Sequence, residues 1–193
     1  MKAINNITKF LVIILLFLTS CDDLFSPALE NNRELDDMYN EPGYAQGILG
    51  YAYSMLPYQT KSETDIATDD AVTNDKASSY LSMATGSWTA SNDPMSKWQN
   101  CRAAIQYLNI FLENADKVAW AKDPNVHIMY CDRLKGEAYG LRALNMYYLL
   151  MAHGGWTEDG KLLGIPNITT VDNMSTDFNV PRDTFQACID QIF

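Results

Sequence analysis

The chain has 193 residues, 47% of them hydrophobic and 20% charged, a balance that supports a buried core and excludes a disordered tail. Its 24 acidic side chains outnumber 14 basic ones, and the formal net charge is −10. Nucleic acid and anionic lipid headgroups are therefore poor partners, while uncharged ligands remain open.

Lys2 and Lys9 supply a positive n-region before the nine-residue apolar run from Phe10 to Leu18, which suits a secretory leader and is too short to span a bilayer. Residues 1–20 are expected to be removed. The run closes on Leu18-Thr19-Ser20-Cys21, which resembles a bacterial lipobox, where the cut falls before a cysteine whose thiol carries a diacylglyceryl group. An ordinary cleaved signal with a chance cysteine is the alternative. At about 0.8 kcal/mol per buried methylene, one acyl chain anchors marginally and two or three anchor durably. Residues 21–40 are polar, acidic and aperiodic, and read as a tether ahead of a helical domain over 41–193.

Tyr44, Ile48, Tyr51, Ala52 and Met55 follow helical spacing from Pro42 to Pro57, with Pro42 in the first turn and Gly47 and Gly50 weakening the pattern. Residues 58–93 are rich in Thr, Ser, Asp and Asn and read as one long irregular excursion, a kind of segment that is usually functional or mobile. Asp93-Pro94 predicts an N-cap and first turn, after which Met95, Trp98, Cys101, Ile105, Leu108, Leu112 and Ala115 trace one apolar stripe. Asp123-Pro124 repeats that start, with Cys131, Leu134, Ala138, Leu141, Leu144 and Tyr148 on its stripe. Met146, Tyr147, Leu149, Leu150 and Met151 make the end apolar almost all round, so it should be buried. Gly154-Gly155 predicts a left-handed stop, and the short joint over 116–123 predicts an antiparallel helical hairpin. Residues 156–182 form a second long loop. A last helix is expected from Asp183, with Gln186 completing a capping box and Phe185, Ile189 and Ile192 on one face. It stops at Phe193 in mid-pattern, so the chain is expected to be a fragment of a longer protein.

Apart from Cys21, the cysteines are Cys101, Cys131 and Cys188, an odd number in helix-patterned segments. They are read as small buried apolar side chains, with at most one disulfide open to them. His127 and His153 lack partners at ligand spacing, so neither a metal centre nor a nucleophilic triad is expected, and no cofactor is implied. No enzyme pattern is recognised in these residues, and the chain is not read as an enzyme.

Gly136-Glu137-Ala138-Tyr139-Gly140-Leu141-Arg142-Ala143, running on through Tyr147-Tyr148-Leu149 to His153-Gly154-Gly155, resembles the hallmark helix of the SusD/RagB family of nutrient-uptake outer-membrane lipoproteins of Bacteroidetes. Trp98, Ile105, Asn109 and Leu112 resemble the family's preceding helix. Gly164-Ile165-Pro166 resembles the turn after it, and Val180-Pro181-Arg182-Asp183-Thr184 the approach to the next. The resemblance implies an all-α fold of tetratricopeptide-like helix pairs in a right-handed superhelix with long irregular loops, here lacking the C-terminal half. It also implies a surface receptor that holds an oligosaccharide or other nutrient over a SusC-like TonB-dependent transporter. Asp22-Asp23 behind the cysteine resembles the acidic signal that sends such lipoproteins to the exterior face of the outer membrane. The alternative is a helical-repeat module on the cell surface whose partner is a protein or peptide.

Sugar recognition needs aromatic faces for the apolar side of a pyranose ring and planar polar groups for its hydroxyls, placed on loops that a scaffold positions. Trp88, isolated in the polar stretch Thr85-Gly86-Ser87-Trp88-Thr89, is the leading candidate. Trp98 lies on a helical stripe and is read first as core, with ligand contact the lesser reading. Asp69 and Asp70, with Asn74 and Asp75, are candidates for hydroxyls or a hard cation, although a solvated acidic loop is the default and the spacing lacks the Gly and Glu of an EF-hand. Tyr58 and Tyr80 flank the same excursion. Glu137, Arg142 and Arg182 are read as structural charges that reach neighbouring elements, because Glu137 and Arg142, five apart, do not face each other.

Overall fold

A computed structural model describes residues 34–57, 64–89 and 91–193. The leader, Cys21, Asp22-Asp23, most of the tether and Tyr58 lie outside the described residues. The chain divides after Asp37. In the first unit, the described residues begin a 3-10 turn, Leu35–Tyr39, in which the Asp37 carboxylate accepts from the Glu34 N–H at 2.9 Å.

The second unit, Met38–Phe193, is built from helices α1 (Pro42–Ser54), α2 (Ser79–Ala84), α3 (Trp98–Asn114), α4 (Pro124–His153) and α5 (Phe185–Ile192). Its only sheet among the described residues is a hairpin, β1 (Gly155–Trp156) against β2 (Leu162–Leu163). The fold is all-α. α3 and α4 form the expected antiparallel hairpin. Its joint is fixed by the Trp120 indole, which donates to the Ala115 carbonyl at 2.8 Å and packs 6.0 Å from the Phe111 ring. α4 starts as its sequence dictates: one Asp123 carboxylate oxygen accepts from the N–H groups of Asn125 and Val126 at 2.9 and 3.1 Å, ahead of Pro124.

Two cores lie along this hairpin. In the first, Ala45, Ile48, Leu49 and Ala52 of α1 meet Ala104, Leu108 and Phe111 of α3 and Leu134, Ala138 and Leu141 of α4. In the second, Cys101 and Ile105 of α3 and Met146, Leu149 and Leu150 of α4 close over Ile165 and Cys188, with Phe185, Ile189 and Ile192 packed against them. Cys101, Cys131 and Cys188 are buried free thiols, each serving a core. Burial raises all three above the ordinary thiol value, and Asp116 pushes Cys131 up further.

Several expectations need correction. α3 begins at Trp98, not after Asp93-Pro94. The Asp93 carboxylate closes on its own turn, accepting from Met95 N–H at 2.8 Å, so it is unavailable to cap a helix. Gly154 is extended, with φ −75° and ψ 153°, and leads straight into β1 in place of the left-handed stop. It is glycine because a Cβ there would lie 2.6 Å from the Leu150 carbonyl oxygen. The end of α4 is buried on one side only. Met146, Leu149 and Leu150 face the second core, whereas Leu144, Tyr147 and Met151 are exposed, Met151 by 67%. α5 is capped by Thr184, whose hydroxyl accepts from Ala187 N–H at 3.1 Å, while Gln186 turns forward to Asp190. Asp183 receives the Asn167 N–H instead, at 2.8 Å. The excursion is not wholly irregular, since it holds a 3-10 turn at Thr64–Ala67 and the short α2, although no residue of 64–89 is buried.

Candidate functional site

Because α3 and α4 run antiparallel, the start of one lies beside the end of the other, and the loop after β2 passes both. The Lys97 N–H at the start of α3 donates to His153 Nε2, the last residue of α4, at 3.2 Å. The imidazole therefore takes up a donor that the helix itself leaves unpaired. That bond requires an unprotonated Nε2, and burial together with the Arg182 charge lowers the His153 pKa, against an opposing pull from Asp93.

Beside this junction opens a cleft of about 320 Å³. Trp98 forms one wall. Contrary to the core reading of its stripe it is 44% exposed, because the second core ends one turn further along α3 at Cys101. Its ring meets His153 edge-on, centroids 5.5 Å apart at 87°, and the Arg102 guanidinium lies 6.0 Å from its centroid. Gly164, Ile165, Pro166 and Ile168 line the cleft from the loop, and Phe178, Val180 and Arg182 line it from the returning stretch of the same loop.

The loop is held by side chains of α3. Gln106 bonds Asp172 twice, its amide N donating to the Asp172 carbonyl at 3.0 Å and its amide O accepting the Asp172 N–H at 2.9 Å. Asn109, buried, donates to the carbonyls of Ile168 and Thr170 at 3.3 and 2.9 Å and accepts from Arg142 Nη1 at 2.9 Å. Arg102 adds an ion pair to Asp172 at 3.6 Å. The other side of the loop is tied by Arg182, whose Nε donates to the Gly164 carbonyl at 2.8 Å and whose Nη2 donates to His153 and Leu163 carbonyls at 3.1 and 2.9 Å. Arg142 and Arg182 are thus structural charges, as is Glu137, which accepts the Tyr53 hydroxyl at 2.7 Å.

Of the sequence candidates, the cleft gathers only Trp98. Trp88 is 49% exposed, next to Thr89, which bridges to Asn92, and it does not line the cleft. Tyr80 is half-buried in α2. Asp69 and Asp70 are exposed, and Asp70 engages its own turn through Thr68. Among the described residues no group of His, Cys, Asp and Glu is arranged to hold a metal ion. Arg102 and Phe178 went unnoticed in the sequence, and Val180 was read there only as part of a family motif. Phe178 and Val180 carried a signal there, as apolar residues in the polar stretch Ser175-Thr176-Asp177-Phe178-Asn179-Val180.

A family model described as starch-binding and associating with the outer membrane matches residues 28–193. The chain belongs to this SusD-like family. No curated protein and no solved structure matches it. In this SusD-like chain Arg142, Gly164 and Arg182 assemble the junction and loop that carry the cleft, and Gly164 and Arg182 also line it.

Proposed function

We propose that the chain is a surface lipoprotein that holds a saccharide at the outer membrane and passes it to a SusC-like TonB-dependent transporter. The observation that supports this reading is the Trp98 cleft, an open depression with an exposed indole in a chain whose family is described as starch-binding. Its volume is at the lower end of the 300–1,000 Å³ typical of ligand clefts, room for one or two sugar rings. The indole serves the apolar face of a ring, and the guanidinium groups of Arg102 and Arg182 serve its hydroxyls. Trp88 is proposed as a second platform on the excursion, with Tyr80, Asp69 and Asp70 as its polar surroundings. Attachment is through lipidated Cys21, with the domain facing the cell exterior.

The experiment measures maltooligosaccharide affinity and thermal stability together for Trp98→Ala and Trp88→Ala in the full chain. Loss of a used platform should cost about 1 to 3 kcal/mol, roughly ten- to a hundredfold in affinity, at unchanged melting temperature. Unchanged affinity in both variants would refute the reading. A second reading, a helical module that binds a protein partner, draws on Leu144, Tyr147 and Met151, which share one exposed face of α4. Under it, Leu144→Glu with Met151→Glu abolishes partner binding and leaves saccharide affinity intact.

A further inference from the structure

The cleft has an unbalanced charge. Its lining holds two guanidinium groups, an imidazole whose Nε2 is unprotonated, and no carboxylate. Arg102 is neutralised by Asp172. Arg182 is not, since among the described residues no carboxylate forms an ion pair with it. Its Nε and both hydrogens of Nη2 are spent on three backbone carbonyls, which leaves the two hydrogens of Nη1 without a protein acceptor. One of those carbonyls, His153 O, closes α4, and a helix C-terminus carries about half a negative charge, which offsets part of the guanidinium charge. The surplus charge and the vacant Nη1 edge are what a neutral sugar would not require.

We infer that the cleft selects an acidic saccharide, its carboxylate received by Nη1 of Arg182 beside the Trp98 platform. The inference rests on the reading of this cleft as a saccharide site. The chain's net charge of −10 does not oppose it, because at physiological ionic strength charges beyond about 8 Å are screened and the acidic groups nearest the cleft are engaged. Asp172 is paired with Arg102, Asp183 accepts the Asn167 N–H, and Asp93, whose charge reaches His153, accepts the Met95 N–H. A carboxylate also ends every peptide, but a peptide offers no pyranose face to the indole, so the saccharide is favoured.

The test uses the full chain in detergent with three probes, a trigalacturonate, its methyl ester and a tripeptide with a free C-terminus, titrated by calorimetry at low and high salt. The acid should bind about five- to tenfold more tightly than its ester at low salt, and the gap should narrow as salt rises. Arg182→Gln should erase the gap. Because that variant also loses backbone ties, the ester comparison on the unaltered protein stands independently of its folding. An ester that binds as well as the acid overturns the inference while leaving the saccharide reading intact. Binding of the tripeptide alone, or of no probe, overturns both.

Discussion

Gly164 lies on the cleft wall and in the second core at once, and replacing it with Ala measures how tightly the two are joined. A Cβ at this position would overlap the Cys188 Sγ and come within 3.1 Å of both the Cys188 Cβ and the Leu150 Cδ1. Its backbone requires no left-handed conformation, so the cost is steric and not conformational. Cys188 cannot retreat, since it is fully buried and its sulfur donates to the Ile165 carbonyl at 3.2 Å and accepts the Ile165 N–H at 3.3 Å. Overpacking of this kind costs about 1 to 3 kcal/mol. For a unit of this size, 2 kcal/mol lowers the melting temperature by about 4 to 8 °C. Cys188→Ala alone should cost about 1 to 2 kcal/mol through the lost sulfur contacts. The double variant removes the atom that the new methyl strikes. Its loss should therefore fall short of the sum of the two singles by about 1 kcal/mol or more, read by thermal or urea unfolding. Additive losses, or a Gly164→Ala variant within about 0.5 kcal/mol of the parent, would show that the loop is not wedged on the core as described.

Three other outcomes are expected. The lowered pKa of His153 means that the unfolded chain binds a proton first as pH falls below the ordinary 6.5, so its stabilising contribution is complete above that value and drains away on acidification. Melting curves at neutral and mildly acidic pH should show a larger acid loss for the parent than for His153→Gln, and equal losses would remove the imidazole from the account. Cys101, Cys131 and Cys188, buried with raised pKa values, should resist iodoacetamide in the native state and react on unfolding. Mass spectrometry of the mature N-terminus should find Cys21 diacylated, and Cys21→Ala should release the protein from membranes. Unchanged membrane attachment and processing would end the lipobox reading.

Much of the scaffold was legible because its signals are local. Asp123-Pro124 sets a cap within three residues, and the stripe through Cys131, Leu134, Ala138 and Leu141 returns every three or four. Asp93-Pro94 carries the same dipeptide and misled, since an Asx side chain can close on a turn as readily as on a helix. Here the acceptor at the start of α3 is His153, 56 positions beyond Lys97 and invisible to any local pattern. Trp98 misled in the opposite sense. Periodicity reports the face of a helix and not the point along its axis where the core runs out. The cleft itself was least legible, because its walls are contributed by a helix start, a helix end and two stretches of one loop, and only tertiary contact brings Arg102, Phe178 and Arg182 together.

The loop over 168–172 is gripped by its main chain. Gln106 and Asn109 address the carbonyls of Ile168, Thr170 and Asp172 and one N–H, much as a neighbouring strand would. Such bonds are blind to the identity of the gripped residues. Ile168 can therefore be exchanged, and with it the shape of the wall it presents, while the loop keeps its course. Amide side chains on one helix thus separate the inheritance of the frame from the drift of what the frame selects.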